Sequence, residues 1–163
     1  MESLTITLAG PPRGKGRPRF SRNTGFAYTP EGTRSYEGAL RHEAAHVMAG
    51  RRPTDGPLAV SIVAIFAIPK SWSRKMRAAA LAGDVWPTKT PDVDNLMKTI
   101  DAMNGIVWRD DKQVVDARVM KVYGDRPRLE IVITPIGERP EVALLTRRAE
   151  LALSLPFGGD WAR

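Results

Sequence analysis

Cysteine is absent from all 163 residues, which excludes disulfides and thiolate metal sites and permits a reducing compartment. There are two histidines, so the three-imidazole zinc sites of the metzincin type are excluded. No apolar run approaches the ~20 residues that span a bilayer, and the amino terminus lacks the basic and apolar regions of an export signal. A cytoplasmic protein without a membrane partner is expected. Internal repeats and low-complexity blocks are also lacking. Acidic residues are in deficit, with 18 Asp and Glu against 25 Lys and Arg, a formal charge of +7 and a pI near 10.1. Such an excess favours a polyanionic partner, because cations that neutralise phosphates release condensed counterions. The remaining composition, 42% hydrophobic and 26% charged, is that of an ordinary globular domain with one core.

Patterning predicts how that domain is built. Residues 4–8 alternate Leu-Thr-Ile-Thr-Leu, the signature of a half-buried strand. Residues 13–23 carry Gly14, Gly16, Pro18 and a run of cations with no apolar periodicity, which reads as a mobile basic loop. Tyr36, Leu40, Ala44, Val47 and Met48 recur at helical spacing up to Gly50. Residues 58–68 form a β-branched apolar run suited to a central strand. Residues 71–83 suggest a short basic helix, and Val93, Leu96, Met97, Ile100 and Met103 make one apolar face of a helix that stops at Asn104-Gly105. Residues 113–123 and 128–134 read as two strands of a hairpin turning at Gly124-Asp125-Arg126-Pro127. A last helix is expected over residues 141–155, followed by a tail. The fold class is α+β, a small mixed sheet of about four strands flanked by helices. Residues 1–135 form the main domain, with residues 136–163 appended to it.

The acids that the chain does have are concentrated. Pro91-Asp92-Val93-Asp94-Asn95-Leu96-Met97-Lys98 opens the predicted helix, and Trp108-Arg109-Asp110-Asp111 follows shortly after its end. Carboxylates gathered in one place repel each other unless a cation inverts the local electrostatics. Aspartates without His or Cys suit the hard ions magnesium and manganese, which prefer oxygen ligands. Asp94, Lys98 and Asp101 fall at i, i+4 and i+7 of the helix, so an ammonium shares the acidic surface. The blander possibility is that Asp92 caps the helix, Asp94 favours its dipole and Asp110-Asp111 is a solvated turn. Combined with the basic charge, the cluster points to metal-assisted phosphodiester hydrolysis.

Two further motifs compete for attention. His42-Glu43-Ala44-Ala45-His46 matches the H-E-x-x-H zinc signature on a predicted helix, but Ala49 replaces the glycine of the extended form and no third ligand follows. Arg13, Lys15, Arg17, Arg19 and Arg22 alternate with Gly, Pro and Ser, with Phe20, Phe26 and Tyr28 close by. They are candidate DNA contacts. Lys70, Arg74, Lys75, Arg77 and Lys89 form a second basic surface.

The phrase from Pro91 through Asp111 to Lys112-Gln113-Val114-Val115-Asp116 resembles the RusA family of Holliday junction resolvases in order, spacing and flanking apolar residues. Gly10-Pro11-Pro12 with Lys15, Arg17, Pro18 and Arg19, and Tyr36 with Glu37, are weaker points of similarity. The resemblance implies that Asp92, Asp94 and Asp111 are essential metal-binding carboxylates, that Lys98 is the catalytic lysine and that Asp110 is less critical. It further implies a homodimer that cuts four-way DNA junctions with magnesium or manganese and no organic cofactor. The alternatives are a flap or branched-DNA nuclease of relaxed specificity and a non-catalytic structured-DNA binding module. For the homodimer, the helix with Leu96, Met97, Ile100 and Met103 or the strand from Leu58 is the expected interface.

Overall fold

The computed structural model describes residues 2–20, 22 and 25–137. The predicted helix over 141–155 and the tail beyond it lie outside the described residues. Within them, β1 (Leu4–Ala9), β4 (Leu58–Ala67), β5 (Val114–Gly124) and β6 (Arg128–Pro135) form one four-stranded mixed sheet. A two-stranded ribbon of β2 (Arg19–Phe20) and β3 (Ala27–Tyr28) stands apart from it. Helices α1 (Glu31–Met48), α2 (Arg74–Ala82) and α3 (Val93–Met97) complete the α+β domain. No described helix is long and apolar enough to cross a membrane.

The core is laid down by strand alternation. Ile6, Ile131 and Ile62 are register partners across β1, β6 and β4, and all three are fully buried. Leu8, Leu129 and Ala64 form the next row, and Leu4, Ile133 and Val60 the one beyond. Helix α1 packs beside β1 and buries Leu40, Ala44 and Met48, the i, i+4, i+8 stripe of an amphipathic helix. Truncating Ile62 or Ile131 to alanine in so close-packed a layer costs about 2–5 kcal/mol.

Strand β4 is central, pairing parallel to β5 and antiparallel to β6. The sheet order β1-β6-β4-β5 therefore corrects the expected hairpin, because β4 lies between β5 and β6. The turn residues do reverse the chain, but a reversal does not make its two arms neighbours. Gly124 lies against β4, where a Cβ would come within 2.6 Å of Ile65 Cγ2. Central placement is what the apolar β4 run requires, since a strand paired on both sides has all its backbone groups satisfied.

The long crossover from β4 to β5 carries the acidic motif, and here the structure again differs from the periodicity. The expected single helix is a five-residue α-helix, Val93–Met97, continued by a 3-10 helix over Lys98–Met103. Buried Thr99 contributes to the tighter winding by donating its hydroxyl to the Leu96 carbonyl at 2.7 Å. Leu96, Ile100 and Met103 are all buried in the protomer's own core, as is Leu58. Four of the residues expected at a dimer interface are thus committed to the fold itself, while Met97 is half-buried at the edge of the core.

Candidate functional site

The first part of the loop after β1 is packed against α3. The Lys15 amide donates to the Asn95 carbonyl at 2.8 Å, tying it to α3. Gly14 lies so close that a Cβ there would sit 2.8 Å from Asn95 Cβ, and a Cβ on Gly16 would sit 2.5 Å from the Thr33 hydroxyl. Gly14 leaves no room for a side chain against α3, whereas a Cβ on Gly16 would require the Thr33 hydroxyl to rotate away.

This packing creates a cleft of about 280 Å³ lined by Lys15, Gly16, Arg17, Pro18, Asp92, Asp94, Asn95 and Lys98. Five of these eight residues are charged, so the cleft is built for ions rather than for an apolar ligand. Asp92 occupies the N-cap position of α3, yet its side chain makes no capping hydrogen bond. Among the described residues it has no ion-pair partner either. The capping explanation for Asp92 therefore fails, and its carboxylate faces the cleft uncommitted. Asp94, two residues along, pairs with Lys98 at 3.0 Å. That ammonium, hydrogen-bonded to the carboxylate, holds Asp94 below the ordinary aspartate range.

Asp111 is brought to a neighbouring position, against Asp101, rather than into the cleft lining. Some loss of hydration and the adjacent Asp101 carboxyl push the pKa of this exposed side chain up. The 3-10 turn over Asp111–Gln113 that presents it is firmly built. Asp110 caps that turn by accepting the Lys112 amide at 3.0 Å, and that amide bond, followed by the Lys112 side chain, pulls the Asp110 pKa down. Gln113, to which the sequence motif assigned no role, accepts the Arg109 and Asp110 amides. Its own amide donates to the Thr54 and Gly56 carbonyls at 2.9 and 3.0 Å. A Gln three residues after an Asp is a capping-box signal that could have found it. Buried Trp108, bonded through Nε1 to Asn104 at 2.6 Å, anchors the preceding turn.

Of the expected metal ligands, then, Asp92 and Asp94 share one cleft and Asp111 stands beside it. Among the described residues no three metal-ligating side chains converge closely enough to hold an ion. Two carboxylates nonetheless fit magnesium, which takes one or two protein oxygens and completes its shell with water and phosphate.

The basic residues divide. Arg13, Arg17, Arg19 and Arg22 are exposed, whereas Lys15, which lines the cleft, is half-buried and ion-paired. Its ammonium lies 2.7 Å from Asp101 and 3.7 Å from Glu37, and the Asp101 hydrogen bond raises its pKa. The cations at Lys70, Arg74, Lys75, Arg77 and Lys89 are exposed. On α1, His42 and His46 are exposed too, so the H-E-x-x-H match lies on a solvated helix face, and neither histidine lines this cleft.

Carboxylates, two ammonium groups and a guanidinium line one cleft of a basic α+β domain, an arrangement suited to phosphodiester chemistry. Residues 9–134 match the family described as endodeoxyribonuclease RusA, and the chain belongs to that family. It is also similar to a protein of Bacillus subtilis (strain 168) named "Uncharacterized protein YqaN". The two are 34% identical over 143 residues, covering 84% of this chain and 99% of that protein.

Proposed function

We propose that the protein is a magnesium-dependent endodeoxyribonuclease that resolves four-way DNA junctions by paired symmetric nicks, in recombination and repair. The observation that carries this reading is the uncommitted Asp92 carboxylate beside Asp94, Lys98 and Arg17 in one cleft of a RusA-family chain. Asp92 and Asp94 would hold the ion, with manganese as a substitute, and Asp111 would complete the carboxylate set from the adjacent turn. When bound, the ion supplies Lewis acidity at the phosphodiester and water of lowered pKa. Lys98 adds fixed positive charge against the negative charge developing on the phosphate oxygens. Arg17, which lines the same cleft, orients the strand, and Arg13, Arg19 and Arg22 continue the cationic track.

A non-catalytic DNA-binding module is disfavoured, because uncompensated carboxylates in the cleft would repel phosphate. A flap or branched-DNA nuclease of relaxed specificity shares the same chemistry and differs in substrate choice. Incubating the protein with labelled four-way junction, flap and linear duplex, with and without magnesium, separates these readings. Symmetric nicking of the junction alone, dependent on magnesium, is expected. Equal cutting of flaps would support the relaxed nuclease, and magnesium-independent binding without cleavage would support the module.

Symmetric nicking calls for two sites related by a twofold axis, so a homodimer is part of the proposal. With Leu96, Ile100, Met103 and Leu58 buried within the protomer, the partner surface lies elsewhere. The open face of the sheet, where Ala59, Ser61, Val132 and Thr134 line a shallow groove, is available. Sedimentation at micromolar concentration is expected to give a dimer, and a monomer that stays monomeric on junction DNA would argue against paired nicking.

Replacing both Arg17 and Arg19 by alanine is expected to weaken junction binding and flatten its salt dependence. For every phosphate no longer neutralised, the log-log slope drops by about 0.9 on duplex arms. Both side chains are exposed, so the thermal midpoint is expected to hold. An unchanged slope would show that these residues do not touch phosphate.

A further inference from the structure

The β2–β3 ribbon carries a feature that the cleft chemistry leaves unused. Phe20, Phe26 and Tyr28 are 76%, 75% and 48% exposed, although aromatic rings are the side chains that gain most from burial. Phe20 is paired with Ala27, and Arg19 with Tyr28. Successive strand residues point to opposite faces, so Phe20 stands on one face of the ribbon and Tyr28 on the other. All four strand residues are exposed, and none belongs to the core.

A ribbon that covered protein would bury one face. Aromatics exposed on both faces suit a body that enters between two flat apolar surfaces. Charge selects what those surfaces are. From Ser3 to Pro30 the sequence contains five cations and no carboxylate, so a second copy of the ribbon would meet like charge, whereas a nucleic acid would meet opposite charge. Unpaired bases supply a π-face and a phosphate together. Continuity with the cleft supports the same occupant. Arg17 and Pro18 line the cleft, and Phe20 follows two residues later, within about 7 Å of extended chain.

We propose that the ribbon is a base-stacking wedge, with Phe20 on one face and Tyr28 on the other receiving unpaired bases at the branch point of a DNA junction. The proposal rests on the branched-DNA reading above and adds how the branch is sensed. Aromatic side chains inserted between base steps unstack them and are compensated by contacts with the opened strands. The exposed arginines at 17, 19 and 22 hold the adjacent phosphates.

The test uses the full chain in magnesium-free buffer with EDTA, so that nothing is cut. One probe carries 2-aminopurine in the central base pairs of a four-way junction, and the other carries it in a small bubble within a linear duplex. Wild-type protein is expected to raise the fluorescence of both as the bases leave their stack. In the Phe20→Ala/Tyr28→Ala variant the rise is expected to vanish. Bubble affinity should fall by roughly tenfold or more, while plain-duplex affinity and its salt slope stay unchanged. Phe20→Trp, which keeps a stacking ring, is expected to keep the rise. An equal rise in the double alanine variant overturns the wedge. So does a variant that loses self-association in sedimentation while the base signal persists, since the ribbon would then be a contact between copies. If wild-type protein shows no preference for the junction over duplex, the branched-DNA reading fails, and the bubble probe still decides the wedge.

Discussion

Asp94→Asn is expected to remove DNA cleavage while leaving junction binding intact or tighter. The substitution keeps the side-chain shape, deletes one of the two carboxylates in the cleft and removes a negative charge from the path of the phosphate. The loss should exceed the 10–100-fold that outer-shell partners of a metal typically cost, because Asp94 would itself be a ligand. Folding should be spared. The Asp94 and Lys98 side chains are 63% and 56% exposed, and an exposed i,i+4 pair contributes little to stability. The Lys98 hydrogen bond already holds Asp94 below the usual aspartate range, so the carboxylate is ionised throughout the neutral region. Any loss of activity between about pH 6 and 8 must therefore come from another group. Single-turnover cleavage at saturating magnesium, with gel-shift binding in EDTA, measures both halves of the prediction. Cleavage within about fivefold of wild type would remove Asp94 from the site, since a missing ligand costs more than an outer-shell partner.

Lys15→Met is expected to damage cleavage much more than binding, which separates Lys15 from the arginines around it. Its ammonium is held at 2.7 Å by Asp101, and the Asp101 carboxyl lies against that of Asp111. Without the lysine, two adjacent carboxylates lose their counter-charge, and the turn presenting Asp111 is pushed away from Asp92 and Asp94. Lys15 and Asp101 keep about a third of their side-chain surface in solvent, so the destabilisation should be about 1–2 kcal/mol, below the 3–5 of a fully buried pair. The double variant Lys15→Met/Asp101→Asn discriminates. If Lys15 acts through Asp101, neutralising Asp101 recovers part of the missing cleavage, and the salt slope of binding is that of wild type throughout. Additive losses, with a slope lowered by about 0.9, would instead make Lys15 a phosphate contact.

The legible and illegible parts of this site have distinct physical origins. Asp94 and Lys98 are one helical turn apart, and local geometry alone makes them neighbours. Their ion pair follows from spacing and is found at 3.0 Å. The partnership of Lys15 with Asp101 spans 86 residues, and no local rule connects them. Likewise the alternation in residues 4–8 and the apolar run of β4 declare strands, because a half-buried face imposes a period of two. They do not declare that β4 stands between β5 and β6, since any strand of the right polarity could satisfy the same edge.

The sequence by itself determined the α+β class, the four strands of the main sheet, helices α1 and α2, the acidic motif with its family resemblance and the cationic character of the segment before α1. These properties are written in periods of two to four residues and in net charge, where each residue's neighbours are known from the chain. Tertiary structure decided which carboxylates share a cleft and which stand beside it. It decided that Lys15 is the half-buried counter-ion of Asp101 while Arg17 and Arg19 are exposed, and that Phe20, Phe26 and Tyr28 lie outside the core. The reason is that burial and ion pairing depend on through-space distances between distant segments, and those exist only after the wedging of Gly14 and Gly16 between α1 and α3 has brought the segments together.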